Sequence, residues 1–390
     1  MNQYKDMNIT CIILLHKMAM RVPFLDLSRE IKPMKETLTT KMNTIIFDQT
    51  NFILGKELET FETNFADYIT QKHCIGVANG TDALEIAVQS LGLSEDDEIL
   101  TQANTYVATC FGVTNNHKRL KLVDIDSSAY QMDLDKLEAS ITDKTKVVII
   151  VHLTGSSCNM DKLMDIVNKH NLILIEDCAQ SHGAYFNNKR LGSYGMLSTF
   201  SFYPGKNLGA FGDGGAICTS DETLCETIRK IRNNGSIEKY MHDIFGRNSR
   251  LDTLQAAVLD LKLERLDANN EKRRANALLY KSLLSGVGDI KLPEIVEGCV
   301  PVYHLFIIRT DRRDELRRYL EERQIGVGIH YPICISKLAC YKDYFDSHYV
   351  NAEKNSSTIL SLPMFPDLTN EEITHVCRVI KDFYSSLRVN

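Results

Sequence analysis

Residues 201–209 of the sequence read SFYPGKNLG and place Lys206 in a glycine-rich turn directly after an apolar run. The apolar run, Leu197 to Tyr203, is typical of a buried strand. Burial lowers the pKa of a lysine, and a desolvated amine attacks carbonyl carbons. The stretch therefore indicates a reactive lysine, although an exposed lysine in a surface loop is the simpler alternative when the stretch is taken alone.

An aspartate follows a second apolar run upstream, where Leu172 to Glu176 predicts a strand that leads into Asp177. Ligands bind at the carboxyl ends of parallel strands, and Asp177 lies at such an end. A lysine that forms a Schiff base and an aspartate that pairs with a pyridinium nitrogen are the two groups that a pyridoxal phosphate enzyme needs. Gln180 lies one short turn further and could bond the phenolic oxygen of this cofactor. Taken alone, Asp177 fits a turn cap equally well.

The motif NGTDAL, residues 79–84, predicts a junction between a strand and a helix. Gly80 allows a ligand to approach the backbone closely. Thr81 or Asp82 is expected to cap the helix, and Asp82 with Glu85 fits a capping box. The exposed N–H groups of a helix start can hold a phosphate, but an ordinary cap explains the motif alone.

Ser201 and a run of glycines flank the lysine on its two sides. The Ser201 hydroxyl could bind the same phosphate as the Gly80 junction. The glycines between residues 207 and 215 permit a tight backbone beside a cofactor. Together with Asp177, these features make an ordinary surface loop a poor explanation for Lys206.

Composition excludes several other classes of protein. The chain has 390 residues, 44% of them hydrophobic and 25% charged, as in an ordinary globular protein. A net charge of −6 gives no reason to expect nucleic acid or an anionic membrane as partner. The eleven cysteines form no C-x-x-C pair and no zinc spacing, which indicates a reducing compartment, the cytoplasm, and no metal site.

Residues 1–21 differ from the rest of the chain and are expected to be a disordered N-terminal extension. The apolar run from Ile9 to Leu15 is too short to span a bilayer. A signal peptide is the alternative, because Lys5 precedes the run, but no clear cleavage site follows. An extension upstream of a later start at Met20 is the simpler interpretation.

Apolar strands alternate with amphipathic helices between residues 73 and 233, which predicts a mostly parallel sheet covered on both faces. After Leu251 the pattern changes to one long helix, Leu254 to Leu284, then short strands and two further helices. We therefore expect an α/β protein with a large domain, residues 22–260, and a smaller α+β domain, residues 261–390.

At this point the motifs resemble those of the pyridoxal phosphate-dependent nucleotide-sugar aminotransferases of the DegT/DnrJ type. The resemblance runs from about Val22 to the C-terminus. It is carried by SFYPGKNLGAFGDGGA at 201–216, EDCAQ at 176–180, NGTDAL at 79–84, VHL at 151–153, NSRLD at 248–252 with QAA at 255–257, and HYP at 330–332.

The resemblance implies fold type I, with a seven-stranded sheet in the large domain, and a homodimer whose active sites lie at the subunit interface. It implies that Lys206 carries the cofactor as a Schiff base and moves the proton, while Asp177 contacts the ring nitrogen. The other roles that it implies are Gln180 at the ring hydroxyl, Tyr106 stacked on the ring, Gly80, Thr81, Ser201 and the partner's Asn248 at the phosphate, and Tyr203, His182, Arg250, His330 and Tyr331 around the substrate.

The implied reaction moves the amino group of glutamate to a keto group on a nucleotide-linked sugar. The opening VPFLDL, residues 22–27, looks most like members that aminate C3 of dTDP-3-keto-6-deoxyhexoses, and amination at C4 is the alternative. Gln102 and Thr154 depart from the residues usual in the family, proline and tyrosine, and leave the sugar specificity open. Two less favoured alternatives are a sugar dehydratase, which would have histidine in place of Lys206, and a non-catalytic regulator, which would have lost cofactor residues.

Overall fold

The computed structural model describes residues 20–238 and 240–387, so residues 1–19 of the predicted extension lie outside the described part. In chain order the strands are β1 (His73–Val77), β2 (Glu98–Gln102), β3 (Arg119–Val123), β4 (Thr145–Val151), β5 (Ile173–Asp177), β6 (Tyr185–Phe186), β7 (Lys189–Arg190), β8 (Leu197–Ser201), β9 (Gly215–Thr219), β10 (Cys299–Val300), β11 (Phe306–Arg309) and β12 (Ile359–Leu362).

The helices alternate with these strands in the first half of the chain and dominate the second half. They are α1 (Leu27–Ile31), α2 (Lys35–Asn43), α3 (Lys56–Ile69), α4 (Gly80–Ser90), α5 (Val107–Thr114), α6 (Leu134–Ala139), α7 (Met160–Lys169), α8 (Glu222–Arg232), α9 (Thr253–Leu263), α10 (Leu266–Leu284), α11 (Arg313–Glu321), α12 (Val350–Thr358) and α13 (Asn370–Ser386). None of the described helices combines the length and the apolar character that crossing a bilayer requires.

A seven-stranded sheet forms the centre of the molecule, in the order β1-β9-β8-β5-β4-β2-β3. The pairs β8–β5, β5–β4, β4–β2 and β2–β3 are parallel, and only β9 runs against its neighbours β8 and β1. Successive β4 residues are buried on opposite faces, Val147 in one apolar core and Val148 in another. The predicted α/β fold with a mostly parallel sheet is therefore confirmed.

A separate apolar core, the C-terminal core, belongs to the C-terminal half of the chain. It combines the two-stranded sheet of β11 and β12 with α10, α11 and α13. Val22 also belongs to this core, because its N–H donates to Gln324 O at 3.0 Å and its carbonyl accepts from Gly326 N at 2.8 Å. The start of the described chain thus packs against the half of the molecule that the predicted boundary at residues 260 and 261 assigns to the other domain.

The single helix predicted from Leu254 to Leu284 is wrong, because the structure has two helices, α9 and α10. The chain tightens between them into a short turn in which Arg265 N–H donates to Lys262 O. Leu266 is buried in the core of the large sheet, whereas Tyr280 is buried in the C-terminal core. The turn lets α10 run from the core of the large sheet to the C-terminal core. The division into two domains stays a prediction.

Candidate active site

A cavity of about 720 Å³ opens between the carboxyl ends of the sheet strands and the C-terminal core. Its size is that of a site for a small molecule. Most of the predicted site residues line it, drawn from segments far apart in the sequence. Those residues are Gly80, Thr81, Tyr106, Asp177, Gln180, Ser201, Tyr203, Lys206, His330 and Tyr331.

Lys206 sits in the turn that follows β8 and faces the cavity. The backbone N–H of Lys206 donates to Tyr203 O at 2.8 Å, which closes the turn. The Lys262 ammonium supports the turn from below by donating to Gly209 O at 2.7 Å. Burial lowers the pKa of the Lys206 amine to about 8, and the nearby Asp177 carboxylate opposes this shift. At this pKa about a tenth of the amine is neutral at pH 7, far more than for an exposed lysine.

Asp177 ends β5 and is almost completely buried. Burial raises the pKa of its carboxyl group, and hydrogen bonds from Thr109 and Ala179 oppose the shift. Thr109 Oγ1 donates to Asp177 Oδ2 at 2.8 Å, and Ala179 N–H donates to Oδ1 at 3.1 Å. Because the one Thr109 proton goes to the carboxylate, Thr105, whose Oγ1 lies 2.7 Å away, must donate to Thr109. Two hydroxyl groups thus fix the orientation of Asp177.

Gln180 is held by two contacts beside Asp177. Its Oε1 accepts from Thr154 N–H at 2.7 Å, and its Nε2 donates to Tyr331 OH at 3.2 Å. Thr154 has φ of 64°, a left-handed conformation that is costly for a β-branched residue. The residue that departs from the family pattern therefore orients the amide of Gln180 through its backbone.

The N-terminus of α4 packs tightly against the end of β8. A Cβ atom on Gly80 would lie 2.6 Å from Ser201 Cβ, so only glycine fits there. The predicted capping by Thr81 or Asp82 is wrong, because Asn79 is the N-cap and its Oδ1 accepts from Asp82 N–H at 2.8 Å.

The predicted capping box is also wrong, because Glu85 is held elsewhere. Its Oε1 accepts a hydrogen bond from Asn115 Nδ2 at 2.7 Å, and its Oε2 pairs with Arg247. The side chain of Asn79 already caps α4 by accepting the Asp82 N–H. The side chain of Glu85 is therefore free to tie α4 to α5 and to the segment before β-bridge residue Asn248.

Aromatic rings and a histidine surround the mouth of the cavity. Tyr106 and Tyr331 lie with ring centroids 5.2 Å apart, and His330 stacks on Phe24 at 5.6 Å. Burial and the nearby Lys206 charge lower the pKa of His330 to about 4, so its imidazole is neutral. Tyr203 is 60% exposed at the rim and offers a face to an incoming ligand.

Three predicted residues do not line the cavity of this chain. His182 is fully buried between Phe200 and Phe202, so the structure gives no support to its expected contact with the substrate. Asn248 is exposed and forms a β-bridge with Asn233, and Arg250 Nη1 donates to Asn233 Oδ1 at 3.1 Å. The role of Asn248 at the partner's site stays a prediction.

Sequence reasoning missed Thr109 and His304. Both line the cavity, and Thr109 contacts Asp177 directly. Thr109 belongs to α5, a helix whose existence was not predicted. His304 lies two residues before β11, and a lone histidine near a strand carries little signal in a sequence.

The residues present fit pyridoxal phosphate. The first N–H groups of a helix have no intrahelical partner, and Asn79 takes only the Asp82 N–H with its side chain, which leaves the N–H groups of Gly80 and Thr81 for a phosphate. A buried carboxylate and a buried amine that line one cavity suit the pyridinium nitrogen and the aldehyde of such a ring. The site therefore has the arrangement of a pyridoxal phosphate enzyme of the transaminase class.

Residues 34–381 match the DegT/DnrJ/EryC1/StrS aminotransferase family, and the chain belongs to this family. The chain is 41% identical to the dTDP-3-amino-3,6-dideoxy-alpha-D-galactopyranose transaminase of Aneurinibacillus thermoaerophilus, over 93% of this chain and 99% of that one. It is 40% identical to a protein of Geobacillus stearothermophilus named pleiotropic regulatory protein, over 94% and 99% of the two chains.

The fold also resembles a solved structure with a related sequence. The crystal structure of S. venezuelae DesV in complex with a ketimine intermediate superposes with a TM-score of 0.91 at 38% identity, over 93% of this chain and 98% of that one. These similarities confirm the predicted family, the fold type, the pyridoxal phosphate cofactor and the class of nucleotide-sugar aminotransferase.

Proposed function

We propose that this aminotransferase carries the amino group of glutamate to the keto group at C3 of a dTDP-linked 6-deoxyhexose. The buried amine of Lys206 beside Asp177, in a cavity large enough for a cofactor and a sugar, carries the proposal. The relative that acts on a dTDP-linked 3-amino sugar supports the nucleotide and the carbon.

Each residue of the site would have a distinct task. Gly80, Thr81 and Ser201 would hold the cofactor phosphate, and Asp177 its ring nitrogen. When bound, pyridoxal phosphate supplies a carbonyl group that takes up the amino group and a ring that absorbs an electron pair. The reaction has two halves, the first with glutamate and the second with the keto sugar. Lys206, with a pKa of about 8, would take a proton from the glutamate carbon in the first half and give a proton to the sugar carbon in the second.

The Asp177 carboxylate would keep the ring nitrogen protonated. Its pKa is raised by burial in this structure, and a cation on the ring nitrogen would lower it again. Thr109 and Thr105 hold the carboxylate in place, so its charge would keep one position during both halves of the reaction. Such fixed charges stabilise a transition state without reorganisation.

We also propose a cytoplasmic homodimer in which Asn248 reaches the partner's phosphate site. Large apolar side chains are exposed on segments 46–54 and 237–245, including Phe47 at 74% and Phe245 at 93%. Exposed apolar groups of this size favour a covered surface. The free state of every described cysteine fits a reducing compartment. Light scattering should give about twice the mass of 44.2 kDa, and a monomer would contradict the proposal.

A regulatory function is the second candidate, because one relative is named a pleiotropic regulatory protein. A protein that only regulates does not require a lysine with a lowered pKa next to a buried aspartate. The two candidates therefore differ in a simple outcome, the consumption of glutamate.

The test is an incubation of the protein with glutamate and a panel of dTDP-, UDP- and GDP-linked keto sugars. We expect a dTDP-linked 3-amino sugar, identified by NMR of the product. Amination at C4 would correct the carbon, and a UDP product would correct the nucleotide. Bound cofactor without amination of any sugar would favour the regulatory function.

A further inference from the structure

The hydroxyl group of Tyr331 is held differently from those of the other tyrosines in the cavity. The cavity is lined by three tyrosines, Tyr106, Tyr203 and Tyr331. Within the described part of the chain, Tyr331 alone of the three has a hydrogen-bond partner for its hydroxyl, Gln180 Nε2 at 3.2 Å. Its ring lies beside that of Tyr106, with the centroids 5.2 Å apart. The phenol is therefore held at both ends, by an aromatic neighbour at the ring and by an amide at the oxygen.

The direction of this hydrogen bond follows from the other end of the Gln180 amide. The backbone N–H of Thr154 donates to Gln180 Oε1 at 2.7 Å. A backbone N–H only donates, so the amide atom that faces Thr154 must be the oxygen. The amide nitrogen therefore faces Tyr331. Because an amide nitrogen also only donates, the phenol oxygen is the acceptor.

The proton of the Tyr331 phenol is consequently free for a ligand. Burial and the negative charge of Asp177 raise the pKa of this phenol, so it keeps its proton near neutral pH. The proton cannot point at a donor, so it points away from the Gln180 amide. Among residues 20–238 and 240–387, no acceptor for it lies within hydrogen-bond distance.

The Gln180 amide has a free proton of its own. Its nitrogen carries two protons, and the described residues provide one acceptor for them, the Tyr331 oxygen. Gln180 and Tyr331 both line the cavity and contact each other, so they offer two neighbouring donors to a ligand. Two such donors suit a single oxygen that carries negative charge.

The surroundings of Gln180 indicate which oxygen this is. The N–H of Ala179, the residue before Gln180, donates to Asp177 Oδ1 at 3.1 Å. Gln180 is 5% exposed and Asp177 4%, so both are buried, whereas Tyr203 at the rim is 60% exposed. The cofactor ring, with its nitrogen at Asp177 and its aldehyde at Lys206, carries its phenolic oxygen on the carbon next to the aldehyde. The ring oxygen therefore belongs to the buried part of the cavity, as the two donors do.

We propose that Tyr331 donates its phenolic proton to the ring oxygen of pyridoxal phosphate, beside the amide of Gln180. The role deepens the proposed function and rests on it, because it takes the ring nitrogen to lie at Asp177 and the aldehyde at Lys206. It moves Tyr331 from the surroundings of the substrate, which the family resemblance implies, to the cofactor. Two donors in fixed positions stabilise negative charge on the ring oxygen without reorganisation.

The first test measures the visible absorption of the bound cofactor against pH. The negative ring oxygen holds the proton of the neighbouring Schiff base, and donors to that oxygen weaken this hold. The phenol therefore lowers the pH at which the Schiff base loses its proton and the absorption changes. We expect Tyr331→Phe to raise the midpoint of the change by about one pH unit. Tyr319→Phe removes a hydroxyl from α11, outside the cavity, and serves as the matched control.

The second test compares two cofactors that differ only in the ring oxygen. Pyridoxal phosphate has this oxygen and 3-deoxypyridoxal phosphate lacks it. The dissociation constant of each is measured on the full chain freed of cofactor, for the wild type and for Tyr331→Phe. We expect the substitution to weaken the binding of pyridoxal phosphate about tenfold and that of the deoxy cofactor less than about twofold.

Two results would each overturn the proposal and leave the proposed function intact. One is an unchanged midpoint in folded Tyr331→Phe protein that binds the cofactor. The other is an equal loss of affinity for the two cofactors, which would mean that the phenol acts on another part of the ligand. Failure of the wild-type chain to form a Schiff base with pyridoxal phosphate at any pH would instead refute the proposed function.

Discussion

The two walls of the cavity differ in how the chain builds them. The sheet wall consists of Gly80, Asp177, Ser201 and Lys206, which end or follow strands of the large sheet. The C-terminal wall comes from the part of the chain that forms the C-terminal core. It consists of His304, Leu305, His330, Tyr331 and Met364. Local motifs position the residues of the sheet wall, whereas long-range packing positions those of the C-terminal wall.

The difference suggests a division of labour. Every charge that the proposed reaction needs is on the sheet wall, while the C-terminal wall supplies neutral imidazoles, a phenol and apolar groups. Changes in the sheet wall should therefore impair both halves of the reaction, and changes in the C-terminal wall, Tyr331 excepted, should alter the recognition of the sugar.

The largest effect is expected for Lys206→Ala. Without the amine, no residue of the sheet wall can transfer the proton, and we expect kcat to fall by at least about 10⁴-fold. The measurement is the single-turnover conversion of glutamate, with the exposed Lys72→Ala as control. Turnover of glutamate and a keto sugar at near-normal rates by Lys206→Ala would show that another base acts.

A smaller loss is expected for Asp177→Asn. The amide keeps the hydrogen bond from Thr109 but removes the negative charge that the proposal assigns to the ring nitrogen, so we expect kcat to fall by about 10³-fold in both halves of the reaction. Rapid-quench measurements of each half-reaction would show this. A loss confined to the half-reaction with the sugar would contradict the expectation that Asp177 acts in both halves.

The supporting hydroxyl should matter less than the carboxylate. Thr109→Val removes one hydrogen bond to Asp177 Oδ2, and we expect about a tenfold loss in kcat/KM. Thr109→Ser keeps the hydroxyl and should restore most of the activity. Equal activities of the valine and serine variants would show that the hydroxyl has no part in orienting Asp177.

The smallest effect is expected on the C-terminal wall. His330→Gln removes the ring that stacks on Phe24, and we expect the KM for the keto sugar to rise several-fold more than the KM for glutamate. Steady-state kinetics with each substrate varied in turn would measure the ratio. An equal rise in both values would remove the distinction between the two walls.

The sequence predicted the sheet wall because strand ends and glycine turns are local features. Asp177 and Lys206 each follow a continuous apolar run, and the parallel sheet brings the ends of such runs to one edge. The N-cap of α4 was assigned to Thr81 or Asp82 and not to Asn79, because all three residue types have a high preference for this position.

The C-terminal wall was less accessible to sequence reasoning. His330 and Tyr331 were found through their family motif alone, and His304 was missed because its contact with Asn207, 97 residues away, and its place in the cavity arise only in the assembled fold. Burial and hydrogen-bond direction decide whether a histidine donates or accepts, and both require the assembled fold. The same holds for Thr109, whose role depends on the approach of α5 to β5.

The most direct measurement follows the amino nitrogen itself. The protein is given nitrogen-15 glutamate and a dTDP-linked 3-keto-6-deoxyhexose, and the sugar is examined by NMR. We expect the label on C3 of the dTDP-linked sugar, in an amount that matches the 2-oxoglutarate formed. Absence of label from every dTDP-, UDP- and GDP-linked keto sugar, in protein that holds its cofactor, would contradict the proposed function.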